Sequence, residues 1–442
     1  MIPASSLFDQ PTMAALLDHD PLVQDYRAFF SLLDWSVVEQ WQAQRSVYCG
    51  THGHPEVAYI KAFLIRLREG MIYTTQLCSF LRHHPLLIIE LGFHLHLDPT
   101  TAYGFDVEKT LPCRHWFAEK LRTLDPALLQ ALLHATVRDL KEEIPGLGEV
   151  VAFDVKHIYG WVKENNERAY VKERYDKTQI LAGDPDCKLG VKRSTNQEQP
   201  DGSTKEKKEL IWGYGSGVAA ATTPDYGDVV LAEYTQPFNE GDVTYFRPLY
   251  QQAVGALEQF PTHLTADAAF DAWYVYECAV RHAGIAAVPL NSHASRSGSR
   301  DSDGVPICPK GLRMLPTIQF AHTYGYRAQR FLCPLLHPEP TGGSCEHAQF
   351  AKGKGCVKDL NWELGGRQRV LLDRSTPLYK AVYTQRTCCE RINSQAKELG
   401  IERPKVRNRR SVANLNTLIY VIINVRALHR AKSINRGLLQ MS

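Results

Sequence analysis

The chain has 442 residues, of which 44% are hydrophobic and 22% charged, a balance that fits an ordinary globular protein and excludes a fibrous or wholly disordered one. Its length is too great for one compact core and indicates two or three domains. The longest apolar run near the C-terminus, 417–425, is about half of the ~20 residues that a membrane-spanning helix needs. The first residues also lack the basic start and apolar core of a signal peptide. We therefore expect a cytoplasmic location and no membrane partner.

Positive charge is concentrated at the C-terminal end, although the net charge of the whole chain is only +3. Residues 1–150 contain 12 Lys+Arg against 18 Asp+Glu, a net charge of −6, whereas residues 351–442 contain 19 against 6, a net charge of +13. The alternative is solvated surface charge, but so large an excess favours contact with a polyanion. In the basic stretch RPKVRNRR (403–410), we expect Arg407, Arg409 and Arg410 to contact nucleic-acid phosphates.

The first 147 residues have helical patterns. Apolar residues recur at helical spacing over 55–70, and 74–93 predicts two short helices separated at Pro85. These helices could form a helix–turn–helix module that reads DNA. A plain bundle that dimerises or packs on the next domain is equally consistent with the acidic composition, so both interpretations stay open.

The next segment alternates strand and helix patterns, which predicts an α/β fold with a mixed sheet and flanking helices. The polar stretch 163–208 predicts a long loop with short ordered pieces. Gly213, Gly215 and Gly217 are no nucleotide-binding motif, since no helix follows them, and instead predict a bulge or a close backbone approach. In chain order, we predict strands at 149–161, 209–222 and 228–236, a helix at 245–259, a strand at 263–267, a helix at 272–282 and a strand at 285–290.

Residues 292–375 show no clear period and are predicted to be a loop-rich insertion. After it, a long helix is expected at about 376–400, and an apolar helix from Ser411 onward. The insertion holds four cysteines that could bind a structural Zn²⁺, but their spacing lacks the close C-x2–4-C pair typical of such sites. Reduced thiols are the alternative. The four candidates are Cys308, Cys333, Cys345 and Cys356.

Two aspartates lie in strand patterns, where charged residues are rare unless they are paired or bind a cation. Asp154 is flanked by apolar residues in VVAFDVKHI, and Asp267 ends the strand HLTAD. Asp271 competes with Asp267, but its position at the start of the next helix predicts an N-cap. Hard cations such as Mg²⁺ prefer carboxylate oxygens together with substrate phosphates.

A polar stripe is predicted on the helix around Glu390. At 100° per residue, Tyr383, Arg386, Glu390 and Lys397 fall within about 60° of one another. A surface Arg–Glu pair four residues apart is the alternative interpretation. The opposite side is apolar and should pack; it carries Val382, Cys388, Cys389, Ile392, Ala396 and Leu399.

The spacing Tyr383-x2-Arg386-x3-Glu390-x6-Lys397 resembles the signature of bacterial insertion-sequence transposases of the DDE type, and about residues 50–430 are similar to this family. The order of Asp154 in AFDVKH, Asp267 in TADAAFD and Glu390 on a late helix is similar too. The resemblance implies a ribonuclease H-like core in which Asp154, Asp267 and Glu390 hold two Mg²⁺ or Mn²⁺ ions.

The resemblance also implies that Tyr383, Arg386 and Lys397 contact phosphates beside the scissile bond. Water would cut at the transposon ends, and the freed 3′-OH would attack target DNA. Double-stranded DNA is then the partner, with a homodimer bringing two ends together. A decayed or domesticated transposase that only binds DNA and a ribonuclease H-like nuclease are the alternatives.

The residue patterns divide the chain into four segments, and the resemblance suggests a role for each. Residues 1–147 are a helical N-terminal domain for DNA-end binding or dimerisation, and 148–291 are the first part of the core. The cysteine-containing insertion is 292–375. The catalytic helix and the basic C-terminal helices, 376–442, complete the core.

Overall fold

The computed structural model describes residues 11–45, 53–198, 204–291 and 298–434. The chain forms two compact units, each built from separate stretches of sequence. The first comprises Met1–Gly148, Asp154–Gln259 and Cys388–Ser442, and the second comprises Glu149–Phe153 and Phe260–Thr387. This division differs from the four consecutive segments expected from the sequence, because the N-terminal helices pack with the C-terminal helix rather than on their own.

The N-terminal part of the first unit is helical, as its apolar periodicity predicts. The expected helix at 55–70 and the two short helices separated at Pro85 are confirmed. The helices are α1 (Pro11–His19), α2 (Pro21–Phe30), α3 (Ser36–Arg45), α4 (Glu56–Arg68), α5 (Thr74–His83), α6 (Pro85–Leu91), α7 (Val107–Thr110), α8 (Arg114–Thr123) and α9 (Pro126–Glu143). Asp125 begins α9 by accepting a hydrogen bond from the backbone N–H of Ala127 at 2.9 Å.

Four strands and one helix follow in the first unit. They are β1 (Val150–Tyr159, whose first four residues belong to the second unit), β2 (Lys188–Glu198), β3 (Thr204–Thr223), β4 (Gly227–Pro237) and α10 (Phe246–Leu257). Strand β3 pairs antiparallel with β2 through its first half and with β4 through its second half. The expected close approach at the glycines is confirmed, since a Cβ on Gly213 would lie 1.9 Å from the carbonyl oxygen of Ile158.

Strand β2 corrects the expectation of a loop over 163–208. Its residues, KLGVKRSTNQE, are polar and charged, so their composition does not indicate a strand. The backbone pairing with β3, which runs from Lys188 opposite Gly213 to Glu198 opposite Thr204, stabilises the extended conformation instead. The part of the expected loop that precedes β2 contains the short 3₁₀ helix Lys163–Asn165.

The final helix of the described chain, α15 (Arg409–Ser433), lies in the core of the first unit. Among the described residues it is the one helix long and apolar enough to cross a membrane, but 89% of its most apolar window is buried inside the protein, as in a core helix. It packs against α8, α9 and β4. One of its buried amides is bonded on both sides: Asn424 donates to the Val230 carbonyl at 2.8 Å and accepts from the Val230 N–H at 2.9 Å.

A buried carboxyl group, Glu233 on β4, lies beneath α15. Hydrogen bonds reach it from the hydroxyls of Ser216, Thr235 and Thr417 and from the amide of Gln130. Burial raises the pKa of Glu233 from 4.5 to about 7, although these four hydrogen bonds favour the charged form. The folded state therefore holds a proton on Glu233 over a pH range in which the unfolded chain has lost it.

We expect Glu233→Gln to remove a pH-dependent loss of stability. A carboxyl whose folded pKa lies above its unfolded value stabilises the fold less as pH rises from about 4.5 through 7, here by roughly 3 kcal/mol in total. The free energy of unfolding of the Gln variant should exceed that of the wild type at pH 8 and approach it at pH 5. Urea unfolding at both pH values measures this, with the exposed Glu240→Gln as control. Parallel pH profiles for wild type and Glu233→Gln would contradict it.

The second unit contains a parallel ladder and a separate small sheet. Residues 150–153 of β1 pair parallel with β5 (His263–Ala266), and β5 pairs parallel with β6 (Ala286–Ala287). The remaining elements are α11 (Trp273–Val280), β7 (Leu315–Ala321), β8 (Arg327–Leu332), β9 (Val357–Asn361), α12 (Leu364–Leu371) and α13 (Pro377–Thr384). The mixed α/β class is confirmed, since both antiparallel and parallel pairs occur among these strands. A ribonuclease H-like fold stays a prediction.

The expected insertion at 292–375 is more ordered than its lack of period suggests. Strands β7, β8 and β9 form an antiparallel three-stranded sheet, and α12 follows it. Paired arginines and carboxylates on the sheet surface hide the alternation of apolar and polar residues that is typical of a strand. For example, Arg330 on β8 binds Asp359 on β9 at 2.8 Å. Part of the predicted insertion, 292–297, lies outside the described residues.

Candidate functional site

Asp154 lies where β1 leaves the buried interior of the protein. Residues Val151 to Phe153 are fully buried, and Asp154 is half-buried immediately after them. Its carboxylate accepts a hydrogen bond of 2.8 Å from the side-chain amide of Asn393. Asn393 is on α14 (Thr387–Glu398), the helix that carries Glu390. The first and last carboxylates expected from the sequence are thus on two elements of the first unit joined by a direct side-chain bond.

Helix α14 has the two faces that its sequence predicts. Its predicted apolar residues are buried, which is confirmed for Cys388, Cys389, Ile392 and Ala396. Glu390 is exposed, Asn393 follows one turn later, and Lys397 follows one turn after that on the same face. The apolar face fixes the helix, so the polar face has a defined direction in the first unit.

The amide of Asn393 is only half satisfied. Its NH₂ group donates to Asp154, whereas its buried carbonyl oxygen has no hydrogen-bond partner among the described residues. An unpartnered buried oxygen is costly unless a donor or a cation completes it. Asn393 is not among the residues predicted from the sequence; its spacing of three residues from Glu390 is the one signal that points to it.

Two lysines, one on β1 and one on α14, share a glutamate. Lys156, two residues after Asp154 on the same face of β1, binds Glu402 at 2.6 Å, and Lys397 is 3.7 Å from the other oxygen of Glu402. Burial raises the pKa of Glu402, but the hydrogen bond and charge of Lys156 and the charge of Lys397 outweigh it, so this pKa lies below its usual value. Glu402 therefore stays charged and holds two cations beside the site. Sequence reasoning missed both Lys156 and Glu402.

Asp267 belongs to the second unit, at the carboxyl end of β5. It is half-buried and accepts a hydrogen bond of 2.9 Å from the backbone N–H of Ala269, which makes it the N-cap of the 3₁₀ turn Ala268–Phe270. The N-cap role expected for Asp271 is wrong, because Asp271 does not cap the helix that follows, α11. The cap of α11 is Ala272, which has no capping side chain.

Asp271 has a structural role that its position in the sequence does not reveal. Its carboxylate has no exposed surface, and the guanidinium of Arg369 binds both of its oxygens at 2.6 Å. Tyr276 and the backbone N–H of Asn291 also donate to it. Burial raises the pKa of Asp271, but Arg369 outweighs this and holds it below its usual value. With both oxygens bound in this way, Asp271 is a poor candidate for a metal ligand.

The single long helix expected over about 376–400 is wrong. Helix α13 ends at Thr384 and α14 begins at Thr387, with Gln385 and Arg386 in a turn between them. The angular positions derived from one continuous helix therefore hold from Glu390 to Lys397 but not from Tyr383 onward. A turn closed by backbone hydrogen bonds to Val382 and Tyr383 replaces one helical turn here.

Tyr383 and Arg386 contact each other in the second unit. The guanidinium carbon of Arg386 lies 5.9 Å from the centre of the Tyr383 ring, and that ring stacks on Tyr379 at 5.9 Å. Tyr379 and Val382 pack in an apolar cluster with Ala287 on β6. Tyr383 thus contacts Arg386 on one side and the buried Tyr379 on the other.

The three C-terminal arginines expected at DNA are exposed, but their guanidinium groups also bind the protein. Arg409 donates to the Thr235 carbonyl at 3.2 Å, and Arg410 donates to the carbonyls of Leu124 and Thr123. Arg407 donates to the Trp161 carbonyl at 3.3 Å and lies over the indole ring. Arg409 and Arg410 therefore tie α15 to its neighbours, while Arg407 lies at a cavity.

The four insertion cysteines are reduced, and three of them are packed as apolar residues. Cys308, Cys333 and Cys356 are buried in one cluster with Val305, Met314 and Phe331, while Cys345 is half-exposed. In the described ranges, no three His, Cys, Asp or Glu side chains are grouped so as to hold a metal ion, the cysteines included. The zinc site stays a prediction, and this packing favours the alternative of reduced thiols.

Comparison with protein-family models and with curated proteins finds no match. Among solved structures, the chain is similar to the piggyBac transposase in its synaptic complex with hairpin DNA, determined by cryo-EM. The two are 9% identical, the alignment covers 96% of this chain and 84% of that chain, and the TM-score is 0.30. So weak a likeness to a transposase carries no argument, and any function must be argued from the residues of the site.

Proposed function

We propose that the chain is a DNA transposase that cuts transposon ends and joins them to target DNA by metal-dependent phosphoryl transfer. The observation that carries the proposal is the 2.8 Å hydrogen bond from Asn393 to Asp154. It fastens the first aspartate of the signature to the polar face of the helix that carries Glu390, its last carboxylate. In a protein without a metal site here, neither the residue types of Asp154 and Asn393 nor their separation in sequence would require this contact.

The donor set suits a hard divalent cation. Asp154 and Glu390 supply carboxylate oxygens in the first unit, the unpartnered carbonyl oxygen of Asn393 belongs to the amide that binds Asp154, and Asp267 is the third carboxylate that the sequence resemblance implies. We propose Asp154, Asp267 and Glu390 as the residues that hold two Mg²⁺ or Mn²⁺ ions. Bound there, the ions would activate the attacking oxygen and stabilise the leaving one.

Cationic side chains of the same region would bind and orient the DNA. Lys156 and Lys397 are held near the carboxylates by Glu402, and Lys397 is 64% exposed, so its ammonium group can exchange the 3.7 Å contact for a phosphate. Tyr383 and Arg386 are proposed to contact phosphates beside the scissile bond. These groups stabilise charge that develops on phosphoryl oxygens in the transition state.

The proposed partner is double-stranded DNA, both as transposon end and as target. A homodimer is proposed for the active complex because two ends must be brought together. The helices α1–α9 would then serve end recognition or dimerisation, the two roles that their sequence leaves open.

The DNA that flanks the gene provides the test. Short terminal inverted repeats there define end fragments, and the protein with Mg²⁺ should cut them and join them to a supercoiled plasmid. A nuclease without transposase activity would cut but not join, and a DNA-binding descendant would bind but not cut. Either result would refute the proposed function.

Lys397→Ala is expected to slow strand cleavage more than it weakens binding. Lys397 lies two helical turns from Glu390 on the same face, so it can reach a phosphate beside the ions but cannot ligate them. Loss of one preorganised cation should lower the cleavage rate roughly a hundred-fold. Affinity for the uncut end should fall only a few-fold, because other phosphate contacts remain.

Single-turnover cleavage and a gel-shift assay on the same end fragment separate these effects. Lys397→Arg should restore part of the rate, since it keeps the charge with a different shape. Glu398→Gln, one residue further on an exposed position of α14, is the control. Equal losses of rate and affinity would make Lys397 an ordinary binding residue.

A further inference from the structure

A cavity lined by cations and aromatic rings lies in the first unit, outside the carboxylate site. It has a volume of about 440 Å³ and is formed where the residues after β1 meet the segment before α15. Four of its lining side chains are cationic and none of the described lining residues is a carboxylate. The cations are Lys163, Arg403, Lys405 and Arg407.

Two of these arginines are held against aromatic rings. The guanidinium carbon of Arg403 lies 4.1 Å from the centre of the Tyr159 ring, and that of Arg407 lies 4.8 Å from the centre of the Trp161 ring. Stacking covers one face of a guanidinium group but not the N–H donors at its edge; in Arg407 the Nε–H donates to the Trp161 carbonyl, and the terminal NH₂ groups can bind an oxyanion. Each arginine is therefore ordered before a ligand binds, which lowers the entropy cost of binding.

The cavity walls are fixed by hydrogen bonds to backbone carbonyls. The N–H of Tyr159 donates to the carbonyl of Glu402 at 2.8 Å, which holds the start of the basic segment against β1. The amide of Asn165 bridges the Gly160 carbonyl at 2.8 Å and the Trp212 carbonyl at 2.6 Å, which holds the loop after β1 against β3. These hydrogen bonds thus hold in place the two segments that carry the cations.

The position of the cavity along β1 relates it to Asp154. Five residues of extended strand separate Asp154 from Tyr159, or roughly 17 Å at 3.3–3.4 Å per residue. This separation is short enough for one DNA duplex, which rises 3.4 Å per base pair along its axis, to reach both positions.

We propose that this cavity binds the phosphate backbone of the same double-stranded DNA that is cut at Asp154. The proposal deepens the proposed function and rests on it for the identity of the DNA. It assigns phosphate binding to Arg403, Lys405 and Arg407, and it gives a minor part to Arg409 and Arg410, which do not line the cavity.

The test is the salt dependence of DNA binding, measured by fluorescence anisotropy with a labelled 30-base-pair duplex of random sequence in EDTA, where no cleavage occurs. The double variant Arg403→Gln with Arg407→Gln should reduce the slope of log affinity against log salt by up to about 1.8, or 0.9 for each lost phosphate contact. Arg122→Gln with Arg313→Gln removes the same charge from two exposed arginines elsewhere and should change the slope by much less.

Two further variants separate charge from preorganisation and guard against misfolding. Arg403→Lys with Arg407→Lys should keep the slope, because the charge remains. Trp161→Leu should also keep it but bind a few-fold more weakly, since Arg407 loses the ring that orders it. Equal slope changes in the two glutamine pairs would overturn the proposal.

A small-anion site is the remaining outcome, and calorimetry with inorganic pyrophosphate identifies it. If the double glutamine variant loses pyrophosphate binding but keeps the wild-type DNA slope, the cavity does not bind DNA and the proposal falls. Failure of the proposed function has a different signature. A wild-type protein that cuts no end fragment, with a DNA slope that still falls in the double variant, would refute transposition and leave this site standing.

Discussion

Asp154→Asn is expected to lower the rate of transposon-end cleavage at least about a thousand-fold, and Glu390→Gln and Asp267→Asn should do the same. Each change keeps the size of the side chain but removes one negative charge from the proposed ligands of two divalent ions. Charge stabilisation by such ions contributes several kcal/mol to phosphoryl transfer, and every 1.36 kcal/mol corresponds to a factor of ten in rate. Single-turnover cleavage of an end fragment in Mg²⁺ measures the loss.

The control for these three variants must show that the fold and DNA binding persist. Asp154→Asn keeps a hydrogen-bonding partner for Asn393, and Glu390 is exposed, so neither change should alter the thermal midpoint by much. Affinity for the end fragment, measured in Ca²⁺ in place of Mg²⁺, should stay within a few-fold of the wild type. Near-normal cleavage by Glu390→Gln would remove α14 from the active site.

The sequence predicts those parts of the fold in which the spacing of apolar residues matches the period of the helix or strand that forms. Helices α4, α5 and α6 and strands β1 and β4 lie where their patterns place them, because each buries one continuous apolar set. Strand β2 was missed because its extended state depends on pairing with β3, a contact that no local pattern encodes.

The candidate site was predicted as separate residues, but its internal contacts were not. Signature spacing selects Glu390 and Lys397, and an acidic residue in an apolar strand selects Asp154. Asn393 and Glu402 were missed because an amide and a glutamate on a polar helix face resemble ordinary surface residues until their partners are known. Those partners, Asp154 and Lys156, lie more than 200 residues away in sequence.

The choice between Asp267 and Asp271 shows the same limit. From sequence, Asp271 resembles a helix cap, and Asp267 resembles a ligand at a strand end. In the structure, Asp267 caps a short turn and Asp271 is held by Arg369, 98 residues away. Strand and helix ends are local features of the sequence, so they do not reveal the distant arginine.

Arg369→Met is expected to destabilise the second unit by roughly 3–5 kcal/mol, because it leaves the buried carboxylate of Asp271 without its counter-charge. The double change Asp271→Leu with Arg369→Met should recover much of this loss, since apolar residues often replace a buried ion pair at little cost. Asp267→Asn keeps a side-chain oxygen that can accept from the Ala269 N–H, so it should cost about 1 kcal/mol or less. Urea unfolding measures all three changes.

Hydrogen exchange of peptides from 263–291 and 364–372, followed by mass spectrometry, locates the loss in the second unit. The two aspartates should then separate cleanly: Asp267→Asn abolishes cleavage in a stable protein, whereas Asp271→Asn and Arg369→Met weaken the fold, and what remains folded still cuts. If Arg369→Met leaves stability unchanged and Asp271→Asn abolishes cleavage, the second metal ligand is Asp271. The ion pair with Arg369 would then be a contact that metal binding replaces.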